Sequence, residues 1–466
     1  MSVPVSVKQL LDKQNITYDI SDALTSAGTQ TLWHDQHLRQ TGAAKSLILQ
    51  DYIGKVQVVI AADTLLDLDA VNRELNRTLR ATSAEDLQNF YDKHQLQTIP
   101  ALPKLAGLTT IVDQALLEPQ SLYLDSGQEG QLIKLHQDAF KAMVADAHIA
   151  NIAIPLSTLS SNNYAVPNEE QLLNCVKNFT NLRIKQRLEE TLELPPLSET
   201  AQRIIKLRVD PEADISDLAS IVETDPSLAA QVVSWAASPY YSAPGKIKSI
   251  QDAIVRVLGF DMVLNLALGL ALGKTIRLPT DTPEGSQPYW QQAVYMAATV
   301  EGLVSAIPRD QRPGFGMAYL SGLLFNFGYL VLAEVFPPHF SSISRYTEAN
   351  PHIDPQPIDR HLLGITREQL SSWLMDIWNM PEEVVVALKY QGDADYKGEY
   401  SEYAKLLFVA QRLLCQRDIG SGPKLDVPAH VYEELNLDPD KANAAMDNIL
   451  ESAQELNAIA LEMDPS

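Results

Sequence analysis

The sequence predicts two domains of different fold class, a mixed-sheet α/β domain followed by an all-helical domain. At 466 residues the chain is too long for one ordinary hydrophobic core. Short apolar runs alternate with helix-like stretches at first, whereas capped helical segments with short connectors make up the rest. We therefore predict an α/β domain over residues 1–148, a connector over 149–182, a helical domain over 183–424 and an acidic helical tail over 425–466.

The composition is that of a globular protein, with 45% hydrophobic and 20% charged residues. A net charge of −23 argues against a broad surface for nucleic-acid phosphates. Cys175 and Cys415 are too few and too far apart for a disulfide framework or a metal finger. The first residues lack the pattern of a signal peptide, and the apolar stretches 262–273 and 317–333 are short against the roughly 20 residues of a membrane span. We expect a cytoplasmic protein that needs no membrane and no cofactor.

In the first 148 residues, apolar runs bounded by turn residues predict strands, and amphipathic stretches with N-cap residues predict helices. The predicted strands are 45–50, 56–61, 108–113, 121–124 and 131–136, and the predicted helices are 7–14, 65–75, 83–94 and 137–147.

The helical part carries clear start and stop signals. Asp225-Pro226 places an acidic N-cap before a proline at the first helical position, and Ser216 is the predicted cap of the helix before it. Gly259 is expected to end the helix that Ser249 begins. The stretch Tyr319–Leu332 is apolar almost all round, which predicts one buried helix through the centre of the domain.

The order of these signals resembles the HDOD family, the HD-related output domain of bacterial signalling proteins. The resemblance runs from about residue 183 to 420 and implies an all-helical output module that acts through protein contacts. It is carried by Leu194-Pro-Pro-Leu-Ser, Asp225-Pro-Ser-Leu228, Ser238-Pro-Tyr-Tyr241, Leu258-Gly259, Gly322-Leu-Leu324 and Trp378. The residues expected to have structural roles are Asp225, Pro226, Ser238, Gly259, Gly322, Gly328 and Trp378.

An active HD-type phosphohydrolase needs histidine and aspartate ligands around one or two metal ions. The expected His-Asp pair reads Phe325-Asn326 here, and the first histidine position falls near residues 289–293, which offer only glutamines. Phenylalanine has no lone pair for a metal and an amide is a poor substitute for a carboxylate. Arg367 and the segment Lys389-Tyr390-Gln391 replace further histidines that relatives often carry. We predict no metal and no hydrolysis in this domain, and we interpret His339, His352 and His361 as surface or capping histidines.

The α/β part resembles the YbaK-like family of aminoacyl-tRNA editing deacylases. The segments that carry the resemblance are Ala44-Lys45-Ser-Leu, Ala61-Ala-Asp63, Ile99-Pro100, Val112-Asp113 and Asp125-Ser-Gly127. The resemblance implies that Lys45 orients a substrate and that a glycine-rich loop supplies backbone N–H donors to a developing oxyanion. Here the loop at 95–104 has two prolines and no glycine, so we expect less room and fewer donors.

These observations favour a non-catalytic signalling or regulatory protein with protein partners, in which the YbaK-like domain binds or senses a ligand. The alternative is an aminoacyl-tRNA editing deacylase over residues 1–148 that uses Lys45 and takes tRNA as its partner. A weaker alternative is a nucleotide or cyclic-dinucleotide receptor in the degenerate HD cavity, where Arg367 would meet a phosphate. Lys45 and Arg367 are thus the candidate ligand contacts.

From Asp426 to Ser466 the tail holds ten acidic residues against one lysine, and Asp438-Pro439 opens an amphipathic helix. We expect this helix to pack back on its own domain, with a partner-binding or homodimer-forming helix as the alternative.

Overall fold

The computed structural model describes residues 3–22, 42–103, 107–128, 130–159, 197–241, 246–273, 278–335 and 337–463. Most of the predicted connector, Cys175 and the start of the Leu194-Pro-Pro signature lie outside the described residues.

The first part of the chain is built on an eight-stranded mixed sheet in the order β1-β8-β7-β2-β3-β6-β9, with β5 paired to β2. Strand β2 runs antiparallel to β3 and parallel to β7, and β3 runs parallel to β6. The predicted mixed-sheet α/β fold is confirmed. The strands are β1 (Asp19–Asp22), β2 (Gly42–Gln50), β3 (Lys55–Ala61), β4 (Thr64–Leu66), β5 (Arg80–Ala81), β6 (Thr109–Asp113), β7 (Ser121–Asp125), β8 (Gln131–His136), β9 (His148–Ala150) and β10 (Ala153–Pro155).

Among the described residues, five α-helices accompany the sheet: α1 (Val5–Lys13), α2 (Leu68–Leu75), α3 (Ala84–His94), α4 (Gln137–Met143) and α5 (Leu156–Leu159). Helix α2 begins three residues later than the sequence predicts, because Thr64–Leu66 pairs with β10 as a strand. The side chain of Asp67 then caps α2 by accepting a hydrogen bond from the amide of Ala70.

The second part is all-helical, as predicted. Its helices are α6 (Glu199–Arg208), α7 (Ile215–Glu223), α8 (Pro226–Ala237), α9 (Ile250–Ala253), α10 (Phe260–Gly273), α11 (Tyr289–Ala306), α12 (Phe315–Leu324), α13 (Phe327–Val335), α14 (Pro337–Ala349), α15 (Pro355–Leu363), α16 (Arg367–Ile377), α17 (Glu382–Tyr390), α18 (Ser401–Gln416), α19 (Ala429–Glu434), α20 (Pro439–Glu451) and α21 (Ala453–Met463). The predicted cap at Ser216 is wrong, since Asp214 caps α7 in a capping box with Asp217.

The sequence predicts one helix across residues 319–332. This prediction is wrong in one respect, because the structure has two helices there, α12 and α13, separated by Phe325-Asn326. The side chain of Gln391 donates to the carbonyl oxygen of Phe325 at 2.9 Å, in place of an amide from the next helical turn. The stretch Phe315–Glu334 has the length and composition of a membrane span, yet 72% of it is buried inside the protein. It is the core segment of the helical part.

The two parts of the chain share a hydrophobic core. One face of the sheet packs on α1, α3 and α4. The opposite face, with Val58 and Ile60 of β3, packs with α2 and also with Tyr346, Ala349 and Ile353 from the helical part. Because the helical part covers this face, the two domains form a continuous packed structure.

The tail packs back onto the helical core. Ile449 of α20 and Ile459 of α21 are buried there, and α20 lies against Gly302 of α11. The amide of Gln291 also donates to Asn457 of α21 at 2.8 Å. The apolar side of the predicted amphipathic helix is therefore occupied by its own domain.

Candidate functional site

A cavity of about 100 Å³ opens at the break between α12 and α13. Helices α11, α15, α16 and α18 form its walls together with the turn after α17. Five side-chain amides line it, and we call it the amide cavity: Gln292, Asn326, Gln356, Gln391 and Gln411. The positions that the sequence comparison with HD hydrolases singled out, Phe325, Asn326, Arg367 and Gln391, thus meet in one place.

The amides of the cavity are held by hydrogen bonds. Asn326 donates to Gln292 Oε1 at 3.4 Å, and Gln292 in turn donates to the carbonyl oxygen of Gln287 at 2.7 Å. Gln391 Nε2 donates to the carbonyl oxygens of Phe325 and Leu388 at 2.9 and 3.0 Å. Since both donors of Gln391 are engaged, its Oε1 is fixed as an acceptor.

Both arginines of the cavity wall are paired with carboxylates. Arg367 contacts buried Asp359 through Nε at 2.7 Å and Nη2 at 2.8 Å, and its guanidinium lies 5.4 Å from the ring centre of Tyr329. Arg412 contacts Asp354 in the same two-fold manner at 3.1 and 2.9 Å. A bidentate carboxylate takes up the fork of donors that an arginine would offer to a phosphate. Arg367, predicted as a phosphate contact, therefore serves as a structural ion pair.

Two further groups of the wall favour their neutral forms. Burial, together with the negative charge of Asp359, raises the pKa of the Glu368 carboxyl. Burial raises the pKa of the Cys415 thiol to about 11. Apart from the two ion pairs and Glu368, the hydrogen-bonding side chains that line the cavity are uncharged amides and hydroxyls.

The residues at the HD positions do not fit a metal ion. Within the described ranges, no group of three or more His, Cys, Asp or Glu side chains is placed to hold one. These positions offer amide side chains, a phenylalanine ring and a paired arginine. That is not the donor set of a hydrolytic metal centre.

Lys45 stands on β2 at the other candidate site. Its Nζ lies 3.5 Å from the carboxylate of Asp125, and its side chain is 22% exposed. Because successive side chains of a strand alternate, Lys45 lies on the face that carries Leu47 and Leu49, the face shared with the helical part. The Ile99-Pro100 loop packs on the opposite face, where Gln57 donates to the carbonyl oxygen of Pro100 at 3.0 Å. The lysine and the loop are thus placed on different faces of the sheet.

One segment of the helical part reaches both sites. We call residues 346–356 the bridge segment. Tyr346 donates to Asp67 at 3.0 Å, and Asn350 exchanges hydrogen bonds with the backbone of Leu66 at 2.7 and 3.2 Å. His352 Nε2 lies 3.0 Å from the carbonyl oxygen of Thr64. Two to four residues after His352, the same segment supplies Asp354, Pro355 and Gln356 to the amide cavity.

His352 corrects the expectation of a surface or capping histidine. Its side chain is buried, and burial lowers its pKa to about 4, with a smaller contribution from the positive charge of Lys45. It is therefore neutral at physiological pH and donates to Thr64. A single histidine between Pro351 and Ile353, with no second histidine or carboxylate at a recurring spacing, gave no sequence signal for this contact.

The family-signature residues shape the helical core. Asp225 caps α8 by accepting from Ser227 and Leu228, and Pro226 occupies its first turn. Ser238 ends the same helix, and Gly259 has a φ of 81°. A Cβ on Gly328 would lie 2.0 Å from the carbonyl oxygen of Arg367, and one on Gly322 would lie 2.9 Å from Ala297 Cα. These glycines allow close approach of the helices that form the cavity.

Trp378 ends α16 and packs edge to face on Phe327, with ring centres 5.6 Å apart. The sequence did not single out Gln411 or the start of the bridge segment at Tyr346. The amides are spread along the chain at no fixed spacing, so the only available signal was a polar residue such as Gln411 within the buried stripe of α18.

Comparisons with known proteins agree with this description. The model of the HDOD domain matches residues 194–394, and that of the aminoacyl-tRNA editing domain matches residues 24–143. A crystal structure from Marinobacter aquaeolei VT8, described as a candidate signal transduction protein, is 42% identical, covers 99% of this chain and 100% of that one, and has a TM-score of 0.87. An HDOD domain protein from Geobacter sulfurreducens shares the fold at 20% identity and a TM-score of 0.50, over 64% of this chain and 99% of that one.

A protein of Treponema pallidum (strain Nichols) is 22% identical over 224 residues, which are 48% of this chain, and the chain spans 41% of that relative's length. The fold and the two domain matches define a two-domain protein, with an α/β domain that resembles aminoacyl-tRNA editing domains and a helical HDOD domain. The chain belongs to the HDOD family, and within it to the two-domain type represented by the Marinobacter aquaeolei VT8 protein.

Proposed function

We propose that this chain is a non-catalytic regulator in bacterial signal transduction, whose HDOD domain acts through contacts with other proteins and whose YbaK-like domain binds or senses a ligand. The observation that carries the proposal is the amide cavity. The positions of a hydrolytic metal centre are occupied by Phe325, Asn326 and Gln391, which bond to neighbouring amides and carbonyls. Such groups bind, but they do not activate water through a metal.

The bridge segment supports communication between the two domains. It touches β4 and the start of α2 through Tyr346, Asn350 and His352, and it lines the amide cavity through Asp354 and Gln356. A conformational change at the amide cavity is therefore only a few residues of the bridge segment away from the sheet face that carries Lys45. A regulator needs such a shared element, since coupling requires that both sites bias one structure.

The rival function is hydrolysis of mischarged aminoacyl-tRNA at Lys45. Asp125 pairs with this lysine, and the proline-containing loop lies on the other face of the sheet. An editing site would need the lysine and the backbone donors of the loop around one ester. This separation makes the non-catalytic function the better supported one.

The deciding experiment measures deacylation of a panel of mischarged tRNAs by the full chain. Lys45→Ala is the test variant, and Lys55→Ala on the neighbouring strand is the matched control. We expect no turnover above the uncatalysed rate for any of the three proteins. Turnover that is lost in Lys45→Ala and kept in Lys55→Ala would refute the proposal and establish an editing enzyme.

A second assay addresses the helical domain. The full chain with added Mn²⁺ is expected to leave aryl phosphate mono- and diesters intact. Hydrolysis that is lost on Asn326→Ala would contradict the non-catalytic assignment of the amide cavity.

A further inference from the structure

The size of the amide cavity limits what it can hold. A water molecule needs roughly 10–15 Å³ of such space, so about 100 Å³ accommodates roughly seven to ten water-sized groups. That is the size of a single heterocyclic ring system with its substituents. A cyclic dinucleotide is far larger than the enclosed part of the cavity.

Two polar atoms of the wall lack a hydrogen-bond partner among the described residues. They are Oε1 of Gln391, whose side chain is 1% exposed, and Oε2 of Glu368, at 7%. Buried polar atoms are nearly always satisfied, so such atoms beside a cavity indicate a missing partner. The orientation of Gln391 is fixed by its two donated hydrogen bonds, which leaves an acceptor for a ligand N–H.

The charge of the wall selects against anions. Arg367 and Arg412 are the cationic residues among those lining the cavity, and each is held by a bidentate carboxylate. Amide side chains, in contrast, offer a donor and an acceptor side by side, the arrangement that reads the edge of a heterocyclic base. The ring of Phe325 adds flat apolar surface on which such a base can stack, whereas the guanidinium groups of Arg367 and Arg412 lie over the rings of Tyr329 and Phe408.

We propose that the amide cavity is a receptor site for one small, uncharged, planar ligand of the nucleobase class. Gln391 accepts from a ring N–H, and the remaining amides read the other polar edge of the ring. The inference rests on the proposed regulatory function. It adds to that function a small-molecule ligand for the HDOD domain. The bridge segment, which lines the cavity at Asp354 and Gln356, carries the effect of occupancy to the α/β domain.

The test is titration calorimetry of the full chain with uracil, cytosine, adenine and hypoxanthine, each beside its nucleoside 5′-monophosphate. We expect one base to bind at a single site and its monophosphate to bind at least tenfold more weakly, because no arginine is available for the phosphate. Absence of binding by all four bases, or tighter binding of a monophosphate, overturns the proposal.

Variants of the wall distinguish ligand binding in the amide cavity from general effects on folding. Gln391→Leu should weaken binding at least tenfold, but it also removes the hydrogen bond to the Phe325 carbonyl. Gln411→Leu changes the wall without touching that bond, and Cys415→Met fills the space with a larger side chain; both should weaken binding as well. Gln251→Leu alters an exposed glutamine of α9 outside the wall and serves as the control.

Equal affinity in Gln411→Leu, Cys415→Met and the control would place the binding elsewhere and overturn the assignment. The result of the calorimetry is independent of the deacylation assay, because that assay measures hydrolysis of mischarged tRNA and its dependence on Lys45. Failure of the cavity proposal and failure of the regulatory proposal can therefore be told apart.

Discussion

Substitution of Asn350 by alanine should uncouple the two domains. Asn350 is 1% exposed. Its side chain accepts a hydrogen bond from the amide of Leu66 and donates one to the carbonyl oxygen of the same residue, which lies 284 residues away in the sequence. Its amide also donates to the carbonyl oxygen of Tyr346 at 3.0 Å, which orients it on α14. Alanine removes all three hydrogen bonds while it keeps the helix end intact.

The magnitude follows from these contacts. Each net hydrogen bond contributes roughly 1 kcal/mol, and a buried backbone group left without a partner costs about 1–3 kcal/mol. Because the N–H of Leu66 loses its partner, we expect a destabilisation of roughly 3 kcal/mol, confined to the contact between the domains. The remaining apolar contacts of Tyr346, Ala349 and Ile353 should keep the domains folded at room temperature.

Differential scanning calorimetry of the full chain measures the effect. The wild type should unfold in one main transition, and Asn350→Ala should show an earlier transition of the α/β domain, lowered by roughly 5–10 °C. Asn448→Ala, an exposed position of α20, is the matched control and should shift the transition by less than the equivalent of about 0.5 kcal/mol. If the two variants unfold alike, the bridge segment does not couple the domains and the reasoning fails.

Three further predictions concern buried groups. His352 has a pKa of about 4 in the folded chain, below its ordinary value of 6.5, so its contribution to stability is complete above pH 6.5 and declines by roughly 3 kcal/mol as the pH falls to 4. In His352→Gln, urea unfolding should therefore depend less on pH across this window than in the wild type; identical profiles would contradict burial of the neutral ring. Burial raises the pKa of Glu301 to about 7, so the folded state loses stability as the pH rises from 4.5 through 7. Glu301→Gln should be more stable than the wild type by roughly 2–3 kcal/mol at pH 8 and about equal to it at pH 4.5, and a deficit at pH 8 would count against this account. Gly328→Ala would push a methyl group against the backbone carbonyl oxygen of Arg367, so chemical denaturation should show a loss of roughly 1–3 kcal/mol. Gly302→Ala on α11, where a Cβ would meet its nearest neighbour at 3.3 Å, distinguishes this clash from a general cost of replacing a helical glycine.

Much of the architecture was predictable because it rests on local patterns. Strands β2, β3 and β8 are long enough for their apolar runs to stand out, and Asp225-Pro226 marks a helix start without reference to other parts of the chain. Strands β4, β5, β9 and β10 have two or three residues each, too few for a period to be recognised.

The candidate site was predictable only in part. Phe325 and Asn326 stood out because a family pattern marks their position, and the structure brings Gln292 and Gln391 to the same place. The break of the central helix depends on a side chain from a distant helix, which no local pattern contains. The contact of Asn350 with Leu66 joins positions that only the tertiary fold makes neighbours.

The shared face of the sheet has a consequence for how such proteins can evolve. Domains that meet only through a linker can be exchanged between genes, because each remains soluble and folded after recombination. Here a cut after α5 would expose Leu47, Val58 and Ile60 to water, while the helical part would lose the surface against which Tyr346 and Ile353 are packed. Recombination that separates the two halves of this gene would therefore leave apolar surface uncovered on both products.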